Sequence, residues 1–170
     1  MTSIVTAPVL SLFCGKIASG KSTLARRLAA QSGAVAIHED DWLSALYGDQ
    51  MRSVQDYVRC AARLRAVMEP HVTALLGAGI SVVLDFPANT PQTRAWLLGL
   101  VGQTGARHEM HVLDVPEEVC WARLQRRNAE GGNPFQVTHA QFEQITRHFS
   151  MPGPDEGFHH VEHRPGGISG

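Results

Sequence analysis

The sequence predicts an α/β fold in which a parallel sheet is covered by helices on both faces. Three observations carry that expectation. Short runs with strand character recur at Val9–Cys14, Ala34–Ile37, Ile80–Leu84 and Glu109–Leu113. The stretches between them have helical spacing with start and stop residues. Each run leads into a polar segment, and in such folds ligands bind beyond the carboxyl ends of the strands.

The elements follow in order. Val9–Cys14 (VLSLFC) reads as a buried strand ending at Gly15. A helix is expected from about Lys21 to Gln31, with Leu24, Ala25 and Leu28 on one face, Arg26 and Arg27 on the other, and Gly33 as its stop. Ala34–Ile37 is a second strand, running into the acidic turn His38-Glu39-Asp40-Asp41. Ser53–Leu76 reads as a long helix that Pro70 should kink or break. Ile80–Leu84 is the third strand and terminates in Asp85. Pro91–Val101 is a helix with Thr90 as N-cap and proline at its first position. Glu109–Leu113 leads to Asp114, and an arginine-rich helix spans Pro116–Asn128 until Gly131-Gly132-Asn133-Pro134 breaks it. Thr138 caps a helix to Phe149, a Pro/Gly loop covers Met151–Gly157, and Phe158–His163 forms an edge strand. Residues 1–163 thus read as one domain and 164–170 as a disordered, frayed tail.

Composition narrows the function. Hydrophobic residues make up 44% and charged residues 18%, which excludes wholesale disorder. No apolar run approaches the ~20 residues of a membrane span. The net charge of −1 argues against a general electrostatic grip on nucleic acid. Thirteen arginines accompany only two lysines, Lys16 and Lys21, and both lie in one glycine-bearing loop. Cys14, Cys60 and Cys120 have no zinc spacing and read as buried free thiols. No signal peptide is apparent at the N-terminus, and a cytoplasmic location is expected.

The strongest chemical signal is Gly15-Lys16-Ile17-Ala18-Ser19-Gly20-Lys21-Ser22, followed by Thr23. It matches G-x-x-x-x-G-K-[ST] at every fixed position, between a strand and a helix. Its glycines let the backbone curl so that several N–H groups face one anion, and the helix N-terminus adds its positive end. Lys21 reaches the β- and γ-phosphates and the Ser22 hydroxyl can ligate Mg²⁺. Asp40 or Asp41 at the cleft rim can accept a proton from an attacking hydroxyl, or cap a helix. Asp85 ends an apolar strand, where a carboxylate can hold Mg²⁺ through water. Arg123 and Arg127 share a helix face and can stack on adenine or clamp phosphate oxygens. On a strand, His159 and His163 face one way and His160 the other, so these three rings do not converge on a metal.

Together the loop GKIASGKST, the turn IHEDDW, the strand VVLDF and the segment DVPEEVCWARLQRRN resemble small P-loop kinases. The similar group is the AAA-like ATP-binding proteins related to polynucleotide kinase, chloramphenicol phosphotransferase and zeta toxin. The resemblance covers roughly residues 8 to 163. It implies a three-layer P-loop NTPase fold with five parallel strands in the order 2-3-1-4-5. It also implies that Asp40, the first of the Asp pair, is the catalytic base. Asp114 and Pro116 match an Asp-x-Pro strand end, and Arg127 matches the lid arginine. Leu43 stands where the polynucleotide kinase turn carries an arginine, which weighs against a nucleic-acid end as substrate.

The expected function is therefore transfer of the γ-phosphoryl group of ATP to a hydroxyl of a small molecule such as an antibiotic, nucleoside or nucleotide sugar. Lys21, Asp40 and Arg127 are the expected catalytic residues, Gly15 through Thr23 with Arg123 bind ATP, and Ser22 with Asp85 hold Mg²⁺. A 5′-hydroxyl polynucleotide kinase and a nucleotide-binding switch without an acceptor are the alternatives. Acceptor identity and oligomeric state are not legible in the sequence.

Overall fold

A computed structural model describes residues 7–131 and 136–164. The expected break at 132–134 and the tail from 165 onward lie outside the described residues. Five strands form one all-parallel sheet in the order β2-β3-β1-β4-β5. They span Val9–Gly15 (β1), Val35–His38 (β2), Val82–Pro87 (β3), Arg107–Leu113 (β4) and His160–His163 (β5). The helices are Lys21–Ser32 (α1), Glu39–Tyr47 (α2), Val54–Gly77 (α3), Pro91–Thr104 (α4), Glu117–Glu130 (α5) and His139–Arg147 (α6). The expected three-layer fold and strand order are those observed.

Side-chain alternation along the strands builds two cores. Leu10, Leu12 and Cys14 of β1 join Val82, Leu84 and Phe86 of β3 under α3 and α4. Phe13, Val83 and Leu113 point the other way, against Leu24 and Ala25 of α1. A third cluster gathers Val115, Cys120, Leu124 and Phe142 from α5, α6 and the loop after β4, with Ile17 and Ala18 packed on it. Cys14, Cys60 and Cys120 are buried free thiols. No helix among the described residues is long and apolar enough to cross a membrane.

Ser53, Thr90 and Thr138 each accept a backbone N–H at a helix start, and Thr138 with Gln141 completes a capping box. Two expectations need correction. The segment after β2 is not a turn but the first turn of α2, which begins directly at Glu39. Its three consecutive acids favour the positive end of the helix, and that enrichment is a helix-start signal as much as a chemical one. Helix α3 also runs unbroken through Pro70. Cys60, Ala61, Leu64, Met68, Val72 and Leu76 form its buried stripe across that point, and their continuous packing outweighs one lost backbone bond.

Among the described residues, Arg94 is the one buried arginine or lysine, at 2% exposure. It donates to both carboxylate oxygens of Glu156 at 2.6 and 3.0 Å, to the carbonyls of Ala88 and Ser150, and to the Ser150 hydroxyl. The bond from Arg94 holds the Glu156 carboxyl below its usual range. Its stabilising share is therefore complete above the ordinary carboxylate value of 4.5 and is lost as pH falls through the depressed one. Replacing Arg94 by Met strands Glu156 and two carbonyls, and should cost about 3 kcal/mol in urea unfolding at neutral pH. A loss below about 1 kcal/mol would contradict the bracing role assigned to this residue.

Candidate active site

Residues 16–20 leave the centre of the sheet at the carboxyl end of β1 and turn into α1. Gly15 has no room for a side chain, since a β-carbon there would lie 2.5 Å from Ser19 Oγ and 3.1 Å from the Leu113 carbonyl. Gly20 adopts φ 103°, which favours glycine. Ala18 also has a positive φ, 61°, at the loop apex, so the loop holds strained backbone where it must curl. Asn89 accepts the Gly15 N–H at 3.0 Å, and the Ala88 N–H donates to the Phe13 carbonyl. Arg123 donates to the Ser19 carbonyl at 3.2 Å and so braces the loop from α5.

The loop has the features of an anion site. Helix α1 starts without a side-chain cap and without an acid in its first turn, so its amides and dipole are uncompensated there. Ser19 Oγ is buried with no partner. Lys21 folds back to donate to the carbonyls of Gly15 at 2.5 Å and Lys16 at 2.9 Å. Burial pushes its ammonium below the usual lysine value, while Asp85 and Asp40 pull it back. A polyphosphate fits this donor set. Lys16 does something else: it donates to the Val115 carbonyl at 3.1 Å, lies 3.9 Å from Asp114 and sits over the Phe149 ring. It ties the loop to its neighbours. Ser22 is half-buried and Thr23 is exposed on α1.

The acids fall into distinct positions. Asp85 lies inside β3 at 7% exposure, opposite His38 in register, and the His38 Nδ1 is 2.9 Å from its Oδ2. Asp40 is exposed, yet the protein crowded around its carboxyl and the nearby Asp85 raise its pKa, whereas Lys21 and Arg127 lower it. Asp41 is 3.9 Å from Arg26 of α1 and well exposed. Both acids are thus at the surface, with Asp40 in the field of Lys21 and Arg127 and Asp41 beside Arg26. No group of three or more His, Cys, Asp or Glu side chains gathers around a metal position among the described residues. Were Ser22 and Asp85 to hold a Mg²⁺ ion, its other ligands would come from phosphate and water, as is common for that ion.

Sequence reasoning placed Glu39 and the loop with Asn89 at this end of the molecule but gave neither of them, nor Arg94, a role of its own. Glu39 is 1% exposed and accepts the Tyr57 hydroxyl at 2.7 Å. His163 lies 2.9 Å from His111, which stacks on Phe13 inside the sheet.

Comparison with known proteins comes from two directions. The family described as AAA domain matches residues 10–152. A candidate kinase from Chloroflexus aurantiacus J-10-fl is 18% identical with a TM-score of 0.76, over 93% of this chain and 85% of that one. A sugar kinase from Janibacter sp. HTCC2649 is 20% identical with a TM-score of 0.63, over 94% and 85%. The APS kinase of Mycobacterium tuberculosis, solved with AMPPNP and APS, is 21% identical with a TM-score of 0.61, over 92% and 88%. No curated protein matches the sequence. The shared feature is the P-loop kinase fold.

Burial pushes the Glu39 carboxyl up to about 7 from an ordinary 4.5, against the lowering effects of the Tyr57 bond and Arg65. The native state then keeps a proton that the unfolded chain releases, so stability falls as pH rises from about 4.5 to about 7 and stays lower above. Glu39→Gln should raise the melting temperature at about pH 8 and leave it unchanged below about pH 4.5. Melting curves across that range check both limits.

Proposed function

The chain belongs to the AAA domain family, and on that premise we propose that it is an ATP-dependent kinase acting on a hydroxyl of a small molecule. The observation that carries this reading is Asp40. Its carboxylate stands where Lys21, Arg127 and Asp85 all act on it, beside the phosphate loop. A nucleotide switch needs no acceptor base at that place.

ATP supplies the phosphoryl group, and Mg²⁺ neutralises charge on its phosphates. The chain's own residues do the rest. The loop amides that are not bonded within the protein, the α1 N-terminus and Lys21 hold the phosphates, with Gly15 shaping the loop's start and Thr23 at its exit. Ser22 and Asp85 would hold the metal, and His38 fixes the Asp85 carboxylate. Asp40 takes the proton of the acceptor hydroxyl as its oxygen bonds to the γ-phosphorus and the bridge to the β-phosphate breaks. Arg127 reaches the transferring group from α5, and Arg123 keeps the loop in shape.

A small-molecule acceptor is favoured over a nucleic-acid end. Leu43, at the position where the nucleic-acid kinase turn carries an arginine, is buried at 2% exposure and presents no cation. The net charge of −1 gives no general attraction for a polyanion. Three buried free thiols accord with a reducing, cytoplasmic setting.

The test is γ-phosphoryl transfer from labelled ATP to oligonucleotides, nucleosides, nucleotide sugars, aminoglycosides and chloramphenicol. Label should appear on a small molecule. Lys21→Ala should abolish it, and Asp40→Asn should lower kcat by about 10²-fold or more while ATP still binds. Label on oligonucleotides alone would move the acceptor to a 5′-hydroxyl end. Label only in free phosphate, undiminished in Asp40→Asn, would support a switch.

A further inference from the structure

Glu39 is the buried acid that the proposed chemistry does not use. It begins α2, and its Oε2 accepts the Tyr57 hydroxyl of α3 while its Oε1 has no partner. On the chain's other side, His38 is bonded to Asp85 of β3. Asp40 therefore follows two consecutive residues that are tied down in different directions, one to the sheet and one to α3. The first turn of α2 has no side-chain cap of its own, so these two links set where it lies.

We propose that Glu39 is a positioning residue for the phosphoryl transfer: its bond to Tyr57 fixes the first turn of α2 on α3 and thereby aims Asp40 at the acceptor. This rests on the kinase reading above. It deepens that reading by linking the base to α3, the long helix that follows α2. Position alone makes such a link costly to lose, because a misplacement of the base by about 1 Å can lower a rate by about 10²-fold.

The charge on Glu39 adds a second, separable signal. The groups facing its carboxyl are Tyr57 and Arg65 of α3, Asp40 on its own helix and Asp85 of β3. An ionised Asp40 opposes ionisation of Glu39, since like charges disfavour each other, and Glu39 keeps its proton to about pH 7. Asp40→Asn removes the opposing charge and leaves Glu39 and its bond to Tyr57 in place. Tyr57→Phe keeps the carboxyl and the ring but removes the bond.

Two measurements on the full chain test this. In protein labelled with ¹³C at Asp and Glu carboxyls, the Glu39 signal is identified by its loss in Glu39→Gln and followed with pH. Its midpoint should lie at about 7 and fall by about half a pH unit in Asp40→Asn. In transfer assays Tyr57→Phe should lower kcat about tenfold with the KM for ATP unchanged. An unmoved Glu39 midpoint in Asp40→Asn, or a Tyr57→Phe enzyme that only melts earlier, overturns the proposal. Should the wild-type protein phosphorylate no acceptor, the kinase reading fails by itself; an unmoved midpoint then still overturns the link, and a moved one upholds it.

Discussion

The buried guanidinium of Arg94 is the constraint on which the nucleotide end of this molecule depends. A desolvated cation is tolerable only when its donors are engaged. Here five bonds engage them, to Glu156, Ser150 and Ala88. The partners matter more than the number. Ala88 is followed by Asn89, which receives the first amide of the phosphate loop, and Ser150 is preceded by Phe149, on which Lys16 lies. The Ser150 N–H in turn donates to the Asn89 carbonyl. One side chain on α4 thus sets the two walls between which the loop hangs, without touching a phosphate position itself.

The loop and the acids beyond β2 and β3 form a single electrostatic unit. Lys21 is desolvated and held by carbonyls, which accept its protons but carry no full charge. Asp40 and Asp85 act on Glu39, Asp85 acts on Asp40, and Glu39 and Asp40 are both pushed toward their protonated forms. Such a set is not arranged for stability. Unlike Arg94, whose neighbours satisfy it, the charges here leave an unpaired hydroxyl at Ser19 and an unpaired oxygen at Glu39. Local cost concentrated at one end of an otherwise well-packed sheet is the pattern expected where a protein handles charged ligands.

Most of the fold was legible because it is written in periodicity. The strand runs alternate, the helices have capped starts, and the order of elements follows from one complete glycine-lysine-serine motif in its strand-to-helix setting. The sequence favoured Asp40 over Asp41 without deciding between them, and the contact that distinguishes their surroundings, Asp41 beside Arg26, joins residues with no shared pattern. The same holds for Arg94 and Glu156, 62 positions apart, and for Glu39 and Tyr57. Asn89 gave no signal either, since an asparagine after a strand usually reads as a turn. Helix α2 was hidden by its own chemistry: three acids in a row looked like a functional turn, and they are a helix start as well. Pro70 misled in the opposite way, because a strong local rule gave way to a long buried stripe.

The placement of β1 has a consequence for how the chain is made. It is the central strand, yet its neighbours are β3, beginning at Val82, and β4, ending at Leu113. On a ribosome β1 must wait while some seventy to a hundred further residues are synthesised before its flanks are present. The Arg94 bracket closes later still, once Glu156 has emerged. During that interval an apolar segment and a strained glycine loop are carried unpaired on a nascent chain. The nucleotide loop is thus a product of completed folding and not a seed for it, and the growing chain has to keep β1 from other partners until its own arrive.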